Sequence, residues 1–151
     1  MYKMHKKPVI IIFLVVLLDQ ITKYFVVTKM YFEESIPIIN KIFYLTYITN
    51  TGTAFGKLQQ YGSILLIFSV IAILILSLIV FKQKNIPKIN LIAFSMILGG
   101  AIGNVIDRIF RGSIVDFLDF RIWPIFNIAD SAITIGIALL IIHSVFSKEN
   151  T

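Results

Sequence analysis

Six polar residues that could take part in chemistry lie near the ends of long apolar runs of the chain or in the connection between two such runs: Asp19, Asn104, Asp107, Asp116, Asn127 and Asp130. Placing one carboxylate in a bilayer costs about 2.5 to 3.5 kcal/mol, so several acids at the same depth in a membrane indicate a function. Two carboxylates held close together cannot both ionise, and such a pair can activate a water against an amide. Spacing alone does not decide which two of four acids would form this pair: Asp107, Asp116, Asp119 and Asp130.

Other kinds of chemistry find little support in the residue types. The chain has no cysteine, no pair of histidines at a metal-binding spacing and no glycine-rich phosphate loop. A serine nucleophile with Lys23 as its base would need Ser113 or Ser131, and nothing in the spacing of these residues favours that arrangement. The sequence therefore predicts neither a metal nor a cofactor.

Two of the polar pairs also have a simpler interpretation as ion pairs within a helix. Asp19 and Lys23 stand four residues apart, as do Asp107 and Arg111. Residues at that spacing share one face of a helix, so each pair could serve stability alone.

Two further features near the apolar runs also have structural explanations. Asn127 could cap a helix in which Asp130 stands three residues later, in the positive field of the helix N-terminus. Gly99 and Gly103 form a small-xxx-small surface, which is typical of close packing between membrane helices.

The elements that position these residues are apolar runs. Of the 151 residues, 58% are hydrophobic and 15% are charged, too apolar for an ordinary soluble domain. A membrane helix needs about 20 residues. The sequence predicts an all-α integral membrane protein with one domain over residues 1–151 and four spans, at about 8–27, 62–81, 87–106 and 127–146.

The distribution of lysines predicts the orientation of the spans. Two connections are purely basic and are expected in the cytosol: Lys3, Lys6 and Lys7 before the first span, and Lys82, Lys84 and Lys88 between the second and third. Residues 28–61 and 107–126 carry both signs and are expected outside. Both termini are then cytoplasmic. Because topology accounts for most of the net charge of +6, no nucleic-acid partner is expected.

The outer connection between the first two spans contains a predicted strand. Residues 41–49 are rich in β-branched and aromatic side chains and precede a turn signal, Asn50-Thr51-Gly52. We expect a small extracytoplasmic β-sheet at this position. The N-terminal run lacks a cleavage site with small residues, so we interpret it as a retained span rather than a cleaved signal peptide.

Five motifs occur in order along the chain: Asp19-Gln-Ile-Thr-Lys23, Asn50-Thr-Gly-Thr-Ala-Phe-Gly56, Gly99-Gly-Ala-Ile-Gly-Asn-Val-Ile-Asp-Arg108, Ile114-Val-Asp-Phe117 and Phe126-Asn-Ile-Ala-Asp-Ser131. Together they make the chain resemble lipoprotein signal peptidase, the bacterial type II signal peptidase. The resemblance covers essentially the whole chain. Two departures, Thr53 where alanine is common and Ile114 where valine is usual, do not involve a carboxylate.

The resemblance implies an intramembrane aspartyl peptidase whose catalytic aspartates are Asp116 and Asp130. By this resemblance, Asp119 is not one of the two catalytic acids. The resemblance also implies supporting or substrate-binding roles for Asp19, Lys23, Asn50, Gly52, Asn104, Asp107, Arg108, Asn127 and Ala129.

The family's substrate is a prolipoprotein whose cysteine carries diacylglycerol, and cleavage falls just before that cysteine. The implied enzyme lies in the bacterial cytoplasmic membrane with its site toward the outer leaflet. It contacts membrane lipid, acts as a monomer and is inhibited by the cyclic peptide globomycin.

Two other functions compete with this interpretation. A small proton-coupled transporter would use intramembrane acids, but it would need polar residues that continue to the cytosolic side, and residues 64–81 and 135–142 offer none of any strength. A lipid-binding scaffold would pack through Gly99 and Gly103 and bind lipid through Arg108, but it leaves the clustered acids without a purpose.

Overall fold

Four long helices dominate the computed structural model, which describes residues 6–51, 62–83 and 85–148. They are α1 (Lys6–Lys29), α2 (Gly62–Lys82), α3 (Lys88–Arg111) and α4 (Ile128–Lys148). Each contains a stretch long and apolar enough to cross a membrane: Lys7–Lys29, Ile64–Lys82, Lys88–Arg111 and Ile128–Ser147. The predicted set of four membrane helices is therefore present in the described part of the chain.

Helix α3 lies at the centre of the bundle and packs against each of the other three helices. Its glycines allow this close approach. A Cβ on Gly99 would lie 2.9 Å from Cβ of Val15 in α1, and one on Gly100 would lie 2.4 Å from the Ala129 carbonyl oxygen in α4. The packing role predicted for the glycine surface is confirmed, and the surface is used inside this chain.

Helix α3 also continues five residues past the end expected from hydropathy and stops at Arg111. Gly112 ends it with φ 75°, a left-handed conformation that favours glycine. Arg108 and Arg111 occupy the last turn, where a positive charge interacts favourably with the helix dipole. The extension matters because it places Asp107 and Arg108 on the helix rather than in a loop.

A three-stranded antiparallel sheet covers the end of the bundle where α1 and α3 finish and α4 begins. Its order is β1 (Ser35–Ile39), β2 (Phe43–Asn50) and β3 (Ile114–Asp119). Strand β2 matches the strand predicted over residues 41–49, and β1 precedes it in the same connection between α1 and α2. The third strand comes from the connection between α3 and α4, where the sequence pattern predicts no strand.

Strand β3 is buried along nearly its whole length, unlike the exposed edge strand β1. Val115 and Phe117 pack with Val26 of α1 in a small apolar core between sheet and helices. Since alternate side chains of a strand point to opposite faces, Asp116 points away from that core. Because both faces of this strand are buried, its sequence, Ile-Val-Asp-Phe, does not alternate between apolar residues facing the core and polar residues facing water.

Candidate active site

Asp116 is held by two amide side chains from different elements. Asn127 Nδ2 donates to its Oδ1 at 2.7 Å, and Asn50 Nδ2 donates to its Oδ2 at 3.0 Å. The sheet register explains the second contact. Asp116 lies opposite Ile48, so Asn50, two residues along β2, is its diagonal neighbour on the same face. Asp116 is only 1% exposed, yet both carboxylate oxygens have a donor.

Asp130 stands in the first turn of α4 and is half-buried. Asn104 Nδ2 donates to its Oδ1 at 2.8 Å. Its backbone N–H donates to Oδ1 of Asn127 at 2.9 Å, so Asn127 caps the helix as predicted. The side chain of Asn127 therefore both caps α4 and binds Asp116.

Asn104 and Asn127 connect the two carboxylates, and we call this pair of residues the amide bridge. Asn127 Nδ2 also donates to Asn104 Oδ1 at 3.2 Å. A continuous path of hydrogen bonds thus runs from Asp116 through the amide bridge to Asp130. The two acids stand 14 positions apart in sequence, one on β3 and one on α4, and the fold brings them into one polar cluster.

A buried lysine lies behind the amide bridge. Lys23 Nζ is 2.9 Å from Asp19 Oδ2, 2.9 Å from Asp107 Oδ2 and 3.1 Å from Asn104 Oδ1, and its side chain is fully buried. The predicted ion pair of Asp19 and Lys23 is confirmed, but Lys23 also joins α1 to α3. Because its ammonium can only donate, it fixes the oxygen of Asn104 toward itself and directs the amide nitrogen of Asn104 toward Asp130.

Each carboxylate beside Lys23 also fastens a neighbouring element. Asp19 accepts the backbone N–H of Ala129 at 3.0 Å, and Asp107 accepts that of Val115 at 3.1 Å. The residues that precede Asp130 and Asp116 are thereby tied to α1 and α3. Asp107 also forms the ion pair with Arg111 that the sequence predicted.

Ala129 and Gly103 make room for this arrangement. Ala129 is fully buried, and a Cβ on Gly103 would lie 2.6 Å from Asp19 Oδ2 and 3.4 Å from Cβ of Ala129. A larger residue at position 103 would displace the carboxylate that holds the start of α4.

The sequence interpretation gave Gln20 no role, although the structure places it in the same network. Its Nε2 donates to Asp19 Oδ2 at 3.0 Å and to Asp107 Oδ1 at 3.2 Å. The available signal was a second polar residue directly after Asp19 in an apolar span. What hydropathy could not show is that Gln20 would meet Asp107, because that contact depends on how α1 crosses α3.

Among the remaining predicted residues, Arg108 borders this cluster, because its guanidinium interacts electrostatically with the carboxylates of Asp130, Asp116 and Asp107. Arg108 Nη1 donates to Ser69 Oγ of α2 at 3.3 Å, so its guanidinium spans the gap between α3 and α2. Gly52 and most of the Asn50–Gly56 motif lie outside the described residues. Asp119 accepts from Thr46 Oγ1 at 2.7 Å and pairs with Arg121 within the sheet.

Burial raises the pKa of the Asp116 carboxyl to about 6 from its usual 3.8, and the negative charge of Asp130 raises it further. Hydrogen bonds from Asn50 and Asn127 act in the opposite direction. A carboxyl group whose pKa lies near 6 is available both as an acid and as a base close to neutral pH, which suits general acid or base chemistry.

The raised pKa of Asp116 predicts a measurable effect of pH on stability. An acid whose folded pKa exceeds its unfolded value stabilises the fold fully below about pH 4, and this contribution is lost as the pH rises through about 6. We expect the wild-type protein to lose about 3 kcal/mol over that range relative to Asp116→Asn, which cannot ionise.

Thermal unfolding of both proteins in the same detergent between pH 4 and pH 8 checks this expectation. The variant also loses one acceptor, but that loss is independent of pH, so the slopes are compared. Parallel slopes would show that Asp116 has an ordinary pKa.

Known proteins resemble the chain throughout its length. A family model described as signal peptidase (SPase) II matches residues 11–146. A lipoprotein signal peptidase of Halothermothrix orenii is 46% identical over 134 residues, 89% of this chain and 92% of that protein. One from Shouchella clausii is 43% identical over 145 residues, covering 93% and 94%.

A solved bacterial membrane enzyme has the same fold, with a TM-score of 0.89 and 34% identity over 100% of this chain and 96% of that one. The protein therefore belongs to the class of multi-pass bacterial membrane enzymes, and it is built from four apolar helices and a small sheet. The matched residues identify the family within this class. The chain belongs to the signal peptidase II family, as the resemblance implied, and it is therefore a protease.

Membership of this peptidase family argues against the two competing functions, the proton-coupled transporter and the lipid-binding scaffold. The scaffold interpretation also loses its main support, because Gly99 and Gly103 contact Val15 and Asp19 of the same chain. The transporter interpretation is replaced for the same reason, because the chain belongs to a peptidase family.

Proposed function

We propose that this signal peptidase cuts prolipoproteins just before a cysteine that carries diacylglycerol, with Asp116 and Asp130 as its catalytic aspartates. Removal of signal peptides from prolipoproteins follows from the family and from the names of the relatives. The observation that carries the assignment of the two acids is the amide bridge, which connects both carboxylates and orients them.

In the proposed mechanism, a water lies between the two carboxyl groups. The ionised carboxylate removes a proton from the water as it attacks the scissile carbonyl, while the protonated partner donates to the carbonyl oxygen. Collapse of the tetrahedral intermediate breaks the C–N bond, and a proton is delivered to the departing amine of the cysteine. The products are the free carboxylate of the signal peptide and a lipoprotein with a new N-terminus.

The supporting residues act through position. Asn104 and Asn127 hold the carboxylate rotamers, and Asn50 fixes the second oxygen of Asp116. Asp19, Lys23 and Asp107 hold the elements behind them. Arg108, which is half-buried between α3 and α2, is proposed to meet a lipid phosphate or a carbonyl of the substrate. The resemblance adds Gly52 and Ala129 to this set.

The proposed topology puts both termini in the cytoplasm of a bacterium and the site toward the outer leaflet of its inner membrane. Lys7, Lys82 and Lys88 support this orientation, since all three lie at the helix ends opposite the sheet. Retention of positive charge on the cytosolic side then leaves the sheet outside. Because one chain supplies every residue of the cluster, we propose a monomer.

A processing assay tests the proposed substrate. The full chain in liposomes is mixed with a precursor that carries diacylglyceryl cysteine or with the same precursor unmodified, with and without globomycin. We expect cleavage of the lipidated precursor only, stopped by globomycin. Equal cleavage of both precursors would remove the lipid requirement.

Asp119→Asn is the matched control for the choice of acids. Asp119 lies three residues from Asp116 on β3 and is also buried, but its contacts are Thr46 and Arg121 of the sheet region. We expect the variant to keep its cleavage rate within about threefold, as a substitution outside the reacting groups should. A loss as large as that of the Asp116 variant would show that the wrong acid had been chosen.

A further inference from the structure

A second apolar cavity, of about 290 Å³, lies between α1 and α3 at the end of the bundle opposite the sheet. Lys7 and Lys88, in the first turns of the two helices, line it together with apolar side chains that include Ile11 and Leu91. Lys88 stands 16 residues before Asn104 in α3, about 24 Å along the helix. The proposed peptidase chemistry therefore gives this cavity no role.

The sizes of the side chains between α1 and α3 explain why a cavity forms here. Where α3 carries a glycine the helices touch, since a Cβ on Gly99 would lie 3.2 Å from the Ile12 carbonyl oxygen. About two turns nearer the start of α3, Leu91 and Ile92 stand in place of a small residue, and a gap remains. Pro8 lines this gap and is fully buried, and its ring fixes φ, so one wall of the cavity is rigid.

The charge at the cavity is positive, and no acid of the described chain balances it. Its described lining includes no acid, and neither α1 nor α3 has an acidic residue in its first turn. Among the described residues, the cations that form ion pairs are Lys23, Arg111 and Arg121. Lys7 and Lys88 therefore bring two like charges to one cavity, and an anion bound there would relieve their repulsion.

The depth of the cavity indicates that this anion belongs to a lipid. Lys7 and Lys88 begin two of the apolar stretches long enough to cross a membrane, so their ammonium groups lie at the level of the lipid headgroups. Ile11 and Leu91 follow three or four residues later, about 5 Å deeper, where acyl chains begin. A free anion or an acidic peptide would leave this apolar wall without a partner. Basic pockets between membrane helices are typical binding sites for anionic lipid headgroups.

We infer that this cavity, which we call the lysine cavity, binds an anionic phospholipid from the membrane leaflet opposite the sheet. The lipid phosphate pairs with Lys7 and Lys88, and the first carbons of one acyl chain lie against Ile11 and Leu91. The lipid thereby joins α1 to α3. The inference does not depend on the identity of the catalytic acids, because the lysine cavity shares no residue with the polar cluster.

Lipid titration followed by native mass spectrometry tests the charge requirement. The full chain, freed of lipid in detergent, is titrated with dioleoyl phosphatidylglycerol or with zwitterionic dioleoyl phosphatidylcholine, and we expect one phosphatidylglycerol to bind about tenfold more tightly. Lys7→Gln and Lys88→Gln should each weaken its binding about fivefold, the contribution of one lysine near a lipid surface. Lys82→Gln is the matched control. It removes the same charge at the end of α2, outside the cavity lining, and should leave the affinity unchanged.

A second pair of variants tests the apolar wall without changing the charge. Ile92→Trp fills the lysine cavity and should weaken phosphatidylglycerol binding about as much as the loss of both lysines. Ile71→Trp, on α2, is its control, because the two isoleucines are similarly exposed, at 44% and 46%. Thermal unfolding without lipid shows that each variant is folded. The lysine variants, which change exposed side chains, keep the test decisive if Ile92→Trp does not fold.

Three results would overturn the inference. Equal losses of affinity in Lys7→Gln, Lys88→Gln and Lys82→Gln, with no effect of Ile92→Trp, would assign the attraction to the general positive charge at this end of the bundle. Equal affinity for the two lipids would remove the charge requirement. Displacement of the lipid by an equal concentration of inorganic phosphate would show that the lysines bind a free anion. None of these results bears on cleavage of a precursor, so the proposed function is tested separately.

Discussion

Replacing Asp116 or Asp130 with asparagine is expected to lower kcat/KM for a lipidated precursor by about 10² to 10⁴, the range that general acid or base catalysis supplies. Asparagine keeps the size of the side chain but can neither accept a proton from water nor donate one to the carbonyl oxygen. The double variant should lose little more than either single one, because residues that act as a unit are not additive.

The measurement is single-turnover cleavage of the precursor by purified protein, with thermal unfolding run alongside to show that each variant is folded. Asp119→Asn serves as the reference. Cleavage within tenfold of the wild-type rate in either single variant would remove that residue from the proposed pair. Fully additive losses would mean that the two acids act in separate steps.

Replacing Lys23 with methionine is expected to destabilise the protein by about 3 to 5 kcal/mol, the typical cost of leaving buried charges without their partner. Methionine fills a similar volume but removes the ammonium that lies 2.9 Å from both Asp19 and Asp107. It also releases the oxygen of Asn104. Activity should therefore fall in the fraction of protein that remains folded, because Asp130 loses a fixed donor.

Lys29→Met is the control for this prediction, since Lys29 ends the same helix and is exposed. It should shift the unfolding midpoint little. Adding Asp19→Asn to Lys23→Met should restore part of the lost stability, because the amide oxygen can still accept the N–H of Ala129 while one unpaired charge disappears. A midpoint unchanged in Lys23→Met would show that the buried lysine contributes no stability.

Much of the membrane architecture could be predicted because it depends on local composition. A run of about 20 apolar residues commits a segment to a helix across the bilayer, since each backbone polar group must be satisfied within the segment. The same holds for contacts within one helix. The ion pairs of Asp19 with Lys23 and of Asp107 with Arg111 follow from a spacing of four residues.

Strand β3 could not be predicted in the same way. Its partner β2 lies more than 60 residues earlier, and the six residues Ile114–Asp119 are too few to distinguish a buried strand from an apolar loop. Only its pairing with β2 brings Asn50 next to Asp116. Helix α3 continues five residues beyond the apolar run, to Arg111, and Lys23 and Arg111 pair with Asp107 in this extension.

The sequence by itself determined the four apolar segments, the polar residues near their ends and, through five motifs, the family. The tertiary structure decided which of those residues meet. Lys23 serves two helices, Asn127 serves two acids, and Gln20 joins the network, because α1, α3 and α4 cross closely at glycines that lack a side chain. Hydrogen bonds and charge pairs act over a few ångströms in space, whereas periodicity describes only neighbours along the chain.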